Sequence, residues 1–307
     1  MVRSVEHTVT MSEGIEPGSI VVAVDGSEHA DRAVEWAAEQ AQLENRPLVA
    51  VSAAEWDHVH VSSWPASDDG TPVREAMLAD ARAVAEAAVA LVRRERPTVV
   101  ARPLVVPGDA RLALVNLSHD ARLMVLGARG RGPLRSMLLG SVSSGVAKRA
   151  ACPVVVCRPQ ESGTIARGVV VGADGTPESL PVIEFAFAQA SLRGLPLTVL
   201  HAYWDAVAAV AGLRSGSEQV PDPSDVEELR VVLSRSVAGF SEKYPDVSVS
   251  LRLQHGLVDE VLTRGQSWGL VVVGRHPMDS VWRMLTGGIA TAVLERAQST
   301  VAIVPQT

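Results

Sequence analysis

Short apolar runs rich in valine and isoleucine alternate along the chain with longer segments in which alanine and valine recur at helical spacing. Ile20–Val24 is a run of the first kind, and its uniform hydrophobicity is typical of a strand buried on both faces. Ser27 can cap the helix that follows, and one face of that helix carries Ala30, Ala33, Val34, Ala37, Ala38 and Ala41. In the first half, strands are predicted at Ile20–Val24, Leu48–Ala53, Thr98–Val106, Leu123–Gly127 and Pro153–Arg158, and the later helices at Pro72–Glu95, Asp109–His119 and Ser141–Ala150.

The second half of the chain repeats this pattern. Val21–Ser27 (VVAVDGS) returns as Val170–Thr176 (VVGADGT), and the interval between the two is the length of a domain rather than of a solenoid repeat. Within Val247–Gln254 apolar and polar residues alternate, which indicates an edge strand with one wetter face. Strands are predicted here at Val169–Ala173, Leu197–Ala202, Val247–Gln254, Leu270–Gly274 and Thr300–Pro305, and helices from Pro177 and at Asp222–Lys243, Leu257–Gln266 and Ile289–Ala297.

Strands separated by helices form parallel sheets with right-handed crossovers. The sequence therefore predicts an α/β fold of two tandem doubly wound domains, each a five-stranded parallel sheet flanked by helices. The domains are expected at residues 18–159 and 168–307, joined by a polar linker at Gln160–Arg167. Met1–Gly18 is expected to be a short disordered lead. Two longer loops, Glu55–Thr71 and Asp205–Pro221, fit either solvated insertions or lids over a ligand.

Composition narrows the class of protein. Of 307 residues, 47% are hydrophobic and 21% charged, and no apolar run approaches the roughly 18 residues that span a bilayer, so no membrane partner is expected. The formal charge of −7 argues against nucleic acid as a partner. The lack of a signal-peptide pattern and the presence of only two cysteines predict a cytoplasmic protein. Cys152 and Cys157 are interpreted as buried structural thiols on opposite faces of a strand, and His58 and His60 lack a third metal ligand.

A glycine-rich segment follows the fourth predicted strand. Gly127 and Gly130 stand at the strand end, and Gly140 opens the next helix. In doubly wound folds ligands bind at the carboxyl ends of the strands, and helix N-termini favour anions. Asp25, at the end of the first strand, lies at the same edge. Arg129, Arg131 and Arg135 add positive charge, and Ser141, Ser143 and Ser144 add hydroxyl groups. The spacing fits a nucleotide phosphate site, but it also fits a plain glycine-rich turn.

The combined pattern resembles the universal stress protein family over nearly the whole chain, in its tandem form. It consists of a strand ending in Asp-Gly-Ser, a Gly-x2-Gly-x9-Gly-Ser motif, and a closing strand after Cys-Pro. The first copy resembles the ATP-binding branch, which implies an aspartate near the adenine and ribose, a backbone contact to adenine after the second strand, and a glycine motif around the ribose and phosphates. The predicted ATP-binding residues are Asp25, Ala53, Gly127, Arg129, Gly130, Gly140, Ser141, Val142 and Ser143, with or without Mg²⁺ and with no protein metal site.

The second copy departs from this motif. Pro277 stands where the first copy has Gly130, and proline has no N–H to donate. Gly288 replaces Ser141, so a hydroxyl is lost, although Arg275, His276 and Arg283 could still attract phosphate. A weak second site is predicted at Asp174, Ala202, Gly274, Gly287 and Gly288. The alternative, that the second copy is only a structural partner, is favoured.

The resemblance implies a regulatory function, in which ATP occupancy biases a conformation that another, unidentified protein recognises. No nucleophile is paired with a general base, so no catalytic residue is assigned and an enzyme is not expected. Two alternatives remain open: a slow ATP hydrolase or nucleotide transferase, and a nucleotide-free structural or chaperone-like protein. Family members pair through their last strands, which implies an intrachain pseudo-dimer and a possible homodimer.

Overall fold

The computed structural model describes residues 14–55, 71–130, 139–159, 167–203, 223–263, 267–275 and 288–306. Within these ranges the chain forms ten strands and eight α-helices. The strands are β1 Ile20–Ala23, β2 Leu48–Ala54, β3 Ala101–Pro107, β4 Leu123–Gly127, β5 Val154–Cys157, β6 Val169–Gly172, β7 Leu197–Tyr203, β8 Val249–His255, β9 Leu270–Arg275 and β10 Val301–Pro305. The helices are α1 Glu28–Glu44, α2 Thr71–Glu95, α3 Ala110–Leu117, α4 Ser141–Arg149, α5 Leu180–Arg193, α6 Pro223–Lys243, α7 Val258–Thr263 and α8 Ile289–Arg296.

The strands form one ten-stranded sheet in the order β3-β2-β1-β4-β5-β10-β9-β6-β7-β8. The α/β class with parallel strands in each half is confirmed, and the two five-stranded halves join edge to edge. At the join β5 and β10 run antiparallel, with Val155 opposite Ala302. The intrachain pairing of last strands is therefore present. Because β5 and β10 each have a neighbour on both sides, a second chain cannot pair through them.

The predicted edge strand lies at an edge. β8 ends the sheet in the second half, with Ser250, Arg252 and Gln254 exposed. Leu251 and Leu253 are half-buried and pack against the core. The alternation of apolar and polar residues thus follows from one covered and one open side of the outermost strand.

Two hydrophobic layers cover the sheet, one on each face, and each layer continues through both halves. One layer lies beneath α1, α2, α5 and α6, and the other beneath α3, α4, α7 and α8. Cys157 belongs to the first layer and Cys152 to the second, which confirms that these thiols are buried on opposite faces. Burial raises the pKa of the Cys152 thiol to about 12 and that of Cys157 further. Both are therefore unreactive thiols at neutral pH.

The expected disordered lead is wrong for its last residues. Ile15 is buried, because its apolar side chain packs within the second hydrophobic layer on that face of the sheet. Arg102 donates a hydrogen bond to the carbonyl of Gly14 over 2.8 Å, and the N–H of Gly18 donates to Asp120 O over 2.7 Å. Residues 14–18 are thus part of the first domain.

Most predicted elements shift by only a few residues. β3 begins at Ala101 rather than Thr98, because a turn closed by a hydrogen bond from Val99 N to Arg96 O precedes it. The helix predicted from Pro177 begins as a 3₁₀ turn, Pro177–Ser179, and becomes α-helical at Leu180. The two long loops (apart from Glu55 and Thr71 at the ends of the first), nearly all of the linker, and His58 and His60 lie outside the described residues. No helix in the described ranges is long and apolar enough to cross a membrane.

Candidate functional site

A cavity of about 1290 Å³ opens at the carboxyl ends of β1, β2 and β4, between these strand ends, α2 and the N-terminus of α4. Its volume exceeds the roughly 300–1,000 Å³ typical of small-molecule sites, so it has room for a nucleotide-sized ligand. The cavity brings together all nine residues predicted from the first copy: Asp25, Ala53, Gly127, Arg129, Gly130, Gly140, Ser141, Val142 and Ser143. The carboxyl-end rule for parallel sheets explains their convergence.

Asp25 is held in the turn between β1 and α1. Its Oδ1 accepts a hydrogen bond of 3.0 Å from Ser27 N, while Ser27 Oγ accepts one of 3.3 Å from Ala30 N and caps α1. Gly26 between them has a φ of 75°, which favours glycine. The sequence Asp-Gly-Ser therefore encodes both the position of the carboxylate and the start of the helix.

Gly127 and Gly130 have different roles. A Cβ at Gly127 would lie 2.6 Å from the carbonyl oxygen of His29, because the first turn of α1 passes directly over the end of β4. Glycine is thus needed there for packing, which the sequence interpretation had not foreseen. A Cβ at Gly130 would instead collide with the carboxylate of Asp25. Gly130 therefore brings the glycine motif into direct contact with the aspartate.

The N-terminus of α4 is turned into the cavity without a side-chain cap. Gly140 has φ −76° and ψ 154°, an ordinary extended conformation, and its N–H donates to Ala128 O over 2.7 Å. The first N–H groups of a helix have no acceptor within the helix, and here they belong to Ser141, Val142 and Ser143. Since Gly140 offers no side-chain oxygen, these donors are available to an anion, and the helix dipole favours one.

The serine hydroxyls are not equivalent. Ser143 is buried, and its Oγ donates to the carbonyl of Gly127 over 2.7 Å. This bond ties α4 to β4, so the Ser143 hydroxyl supports the site rather than facing a ligand. Ser141 is exposed at the cavity edge. It is the hydroxyl of this pair that a ligand can reach.

Sequence reasoning missed the contributions of α1 and α2. His29 lines the cavity, and its Nδ1 is buried without a hydrogen-bond partner among the described residues. Burial, followed by the charges of Arg32 and Arg129, lowers the pKa of His29 and so favours its neutral imidazole. His29 lies in the first turn of α1, and no motif in the sequence marks it as a cavity residue. The α2 residues that line the cavity have no motif: Pro72, Val73, Ala76, Met77, Asp80, Ala81 and Val84.

The second domain arranges the same positions differently. Asp174 Oδ1 accepts both the N–H of Thr176, over 3.0 Å, and its hydroxyl, over 2.7 Å. Burial alone would raise the pKa of Asp174, but these hydrogen bonds outweigh it and lower the pKa. Ala202 is the penultimate residue of β7, and its neighbour His201 is a packed polar residue whose Nδ1 lies 2.9 Å from Ala173 O.

The glycines of the second copy also differ in their surroundings. A Cβ at Gly274 would meet the side-chain amide of Gln306 at 2.6 Å, and Gly288 begins α8 with φ 74°. At Gly175 a Cβ would lie 2.8 Å from Val232 Cγ1, so α6 packs directly on the aspartate turn. Gly287 and Pro277 lie outside the described residues. Among the described residues no group of His, Cys, Asp and Glu side chains is arranged to hold a metal ion.

Comparison with known proteins identifies the class. Residues 18–158 and 166–305 each match the universal stress protein family, so this chain belongs to that family. Universal stress protein Rv2005c of Mycobacterium tuberculosis is 33% identical over 96% of this chain and 100% of its own length. Universal stress protein Rv2623 of the same organism is 33% identical over 95% and 98%. A universal stress protein structure from Archaeoglobus fulgidus has the same fold, with a TM-score of 0.67 at 16% identity over 95% of this chain and 97% of that one.

Proposed function

We propose that ATP binds in the cavity of the first domain and that this tandem universal stress protein acts as a nucleotide-dependent regulatory module. One observation carries the proposal: the uncapped N-terminus of α4 and the carboxylate of Asp25 open on the same cavity. These two features suit the two ends of a nucleotide, an anionic phosphate chain and a hydrogen-bonding nucleoside.

Positive charge and hydrogen-bond donors at the N-terminus of α4 support binding of the phosphate chain there. Ser141 and Val142 contribute N–H groups at the positive end of α4, and Arg129 lines the same cavity. Such donors form charge-assisted hydrogen bonds with phosphate oxygens, which are about twice as strong as neutral ones.

Polar groups at the carboxyl ends of β1 and β2 support binding of the nucleoside part of ATP. The Asp25 carboxylate can accept hydrogen bonds from ribose hydroxyls, and Ala53, near the end of β2, presents backbone groups to a base. On the other side, Val73 and Met77 of α2 provide apolar surface for a base to pack on. A mostly apolar wall with a few polar groups is typical of small-molecule sites.

The function proposed is binding rather than catalysis. A general base near a nucleophile would be needed for rapid hydrolysis, and the Nδ1 of His29, the histidine that lines the cavity, is buried without a hydrogen-bond partner among the described residues. We expect turnover below about one per minute, far under the ~10 s⁻¹ typical of enzymes. Nucleotide occupancy would then bias the surface that a partner protein recognises.

Calorimetric titration of the full chain with ATP and Mg²⁺ tests the proposal, after mass spectrometry has excluded nucleotide carried through purification. One site per chain is the expected result. Two sites would mean that the second domain also binds. No binding to the empty, folded protein would refute the proposal and favour an interaction protein that works without nucleotide.

A further inference from the structure

The C-terminal end of α4 is held by the second domain. α4 ends at Arg149, and the N–H of Ala151 donates to Ser118 Oγ over 2.8 Å instead of continuing the helix. The carbonyl of Ala147 is thereby left without its helical donor. The guanidinium of Arg275, at the end of β9, donates to this carbonyl over 3.4 Å and to the carbonyl of Ala150 over 2.5 Å.

The reverse contact exists on the other helix. Arg158, which follows β5 in the first domain, donates to the carbonyl of Leu294 in α8. Leu294 occupies in the second copy the position that Ala147 occupies in the first. The two arginines, however, come from non-equivalent positions, since Arg275 corresponds to Ala128 of the first copy. Each domain therefore caps the equivalent helix of the other, by separate means.

The two capped helices differ at their N-termini, where Gly140 before α4 has a φ of −76° and Gly288 before α8 has a φ of 74°. α4 opens at its N-terminus on the large cavity through Ser141 and Val142. A nine-residue helix is only about 13 Å long and behaves as a rigid rod, so holding one end fixes the other. The backbone of Arg275 is itself fixed, because it pairs with Pro305 of β10 in the continuous sheet.

We propose that Arg275 is a positioning residue for the nucleotide site of the first domain. It holds α4 where the N–H groups of its first turn meet the phosphates, so the second domain contributes to a site that its described residues do not line. The inference rests on the proposed ATP function. It predicts a specific signature, since α4 contacts phosphates and not the base: loss of Arg275 weakens ATP binding but leaves adenosine binding unchanged.

The test compares Arg275→Gln with Arg296→Gln in the full chain. Arg296, in the last turn of α8, pairs with Asp259 within the second domain and controls for the loss of an arginine there. ATP affinity is measured by calorimetry, and adenosine affinity by competition against a fluorescent ATP analogue. We expect Arg275→Gln to weaken ATP at least about fivefold, within the usual range of coupling between sites, and Arg296→Gln to change neither affinity.

Two outcomes would overturn the proposal. One is an unchanged ATP affinity in Arg275→Gln. The other is an equal loss of ATP and adenosine affinity, which would mean that Arg275 acts on the domain as a whole. If Arg275→Gln does not fold, Arg275→Lys takes its place, because lysine keeps the charge but donates from a single nitrogen. That variant should lose less ATP affinity than Arg275→Gln, and its adenosine affinity should again be unchanged. An ATP affinity equal to that of the wild type would count against the proposal.

Failure of the proposed function gives a different result. If the wild-type chain binds neither ATP nor adenosine, the ATP site is refuted and Arg275 has no nucleotide to position. Hydrogen exchange then tests the capping of α4 separately from nucleotide binding. Arg275→Gln should speed amide exchange in α4, while Arg296→Gln should not. Equal exchange in α4 for both variants would refute the capping role as well.

Discussion

The two domains share a sheet, a strand order and a repeat, yet they differ around their aspartate turns. In the first, the Ser27 hydroxyl caps α1 and leaves Asp25 facing a cavity. In the second, the Thr176 hydroxyl turns to Asp174 instead, and the following segment starts as a 3₁₀ turn without a side-chain cap. The same Asp-Gly-Ser/Thr sequence thus supports two arrangements: the Ser27 hydroxyl accepts a backbone N–H and caps a helix, whereas the Thr176 hydroxyl donates to the neighbouring aspartate.

A second difference lies at the strand that precedes the motif. At Gly127 the backbone of α1 occupies the space of a side chain, whereas at Gly274 the neighbour is the amide of Gln306. The glycine repeats in sequence, but the reason for it changes. A repeated residue is therefore weak evidence of a repeated function.

The largest effect is expected from adding a methyl group at these two glycines. Gly127→Ala should lower the free energy of unfolding by about 3 kcal/mol, because α1 must move away from β4. Gly274→Ala should cost about 1 kcal/mol, since the Gln306 side chain can rotate away. Urea unfolding of both variants measures the difference, and equal losses would mean that the two environments are alike after all.

Copying the second domain's proline into the first comes next. Gly130→Pro should weaken ATP binding at least about fiftyfold. The proline ring would occupy the space beside the Asp25 carboxylate, and proline has no backbone N–H to donate. Gly130 is exposed, so the melting temperature should fall by only a few degrees. Calorimetry and thermal unfolding on the same sample separate the two. Unchanged ATP affinity in the folded variant would contradict the role given to the glycine motif.

Copying the second domain's glycine has a smaller predicted effect. Ser141→Gly removes one hydroxyl but keeps the N–H groups of α4, so ATP affinity should fall roughly tenfold, the lower end of the value of one hydrogen bond to a charged group. Ser143→Ala is the matched comparison: it breaks the bond to Gly127 O and should lower stability more than affinity. The reverse ranking of affinities would show that Ser143, and not Ser141, reaches the ligand.

The smallest effect concerns pH and the start of α3. A hydrogen bond from the Arg111 side chain, with backbone donors from Leu112 and Arg111, lowers the pKa of Asp109 to about 2. The unfolded chain therefore takes up this proton at a higher pH than the folded one. The resulting stability is present above about pH 4 and is lost as the pH falls towards 2.

The contribution of Asp109 is roughly 1 kcal/mol after allowance for its partial exposure to solvent. Unfolding in urea across pH 2–5 should show a shallower acid dependence in Asp109→Asn than in the wild type. Arg111→Gln should shift the wild-type profile in the same direction. The second copy has Leu257 at this position, so the effect belongs to the first domain. Parallel profiles for wild type and Asp109→Asn would refute it.

Much of the fold and the site could be predicted from sequence because the signals are local. The runs of β-branched residues predicted the strands to within a few residues, and the carboxyl-end rule brought Asp25, Ala53 and Gly140 to one edge. His29 and Met77 were missed because nothing in their local sequence distinguishes a residue facing a cavity from one facing solvent. That the cavity of the first domain binds ATP remains a prediction.

The sequence by itself determined the repeat, the alternation of strands and helices, the aspartate turn with its capping serine, and the buried cysteines on opposite faces. These depend on periodicity and on hydrogen bonds between near neighbours. The resemblance implied that the last strands pair, but the tertiary structure alone decided that β5 and β10 run antiparallel and in which register. It alone also decided the close passage of α1 over Gly127 and the capping of α4 by Arg275. Those contacts join segments far apart in the chain, so they depend on how the layers pack, which no local pattern encodes.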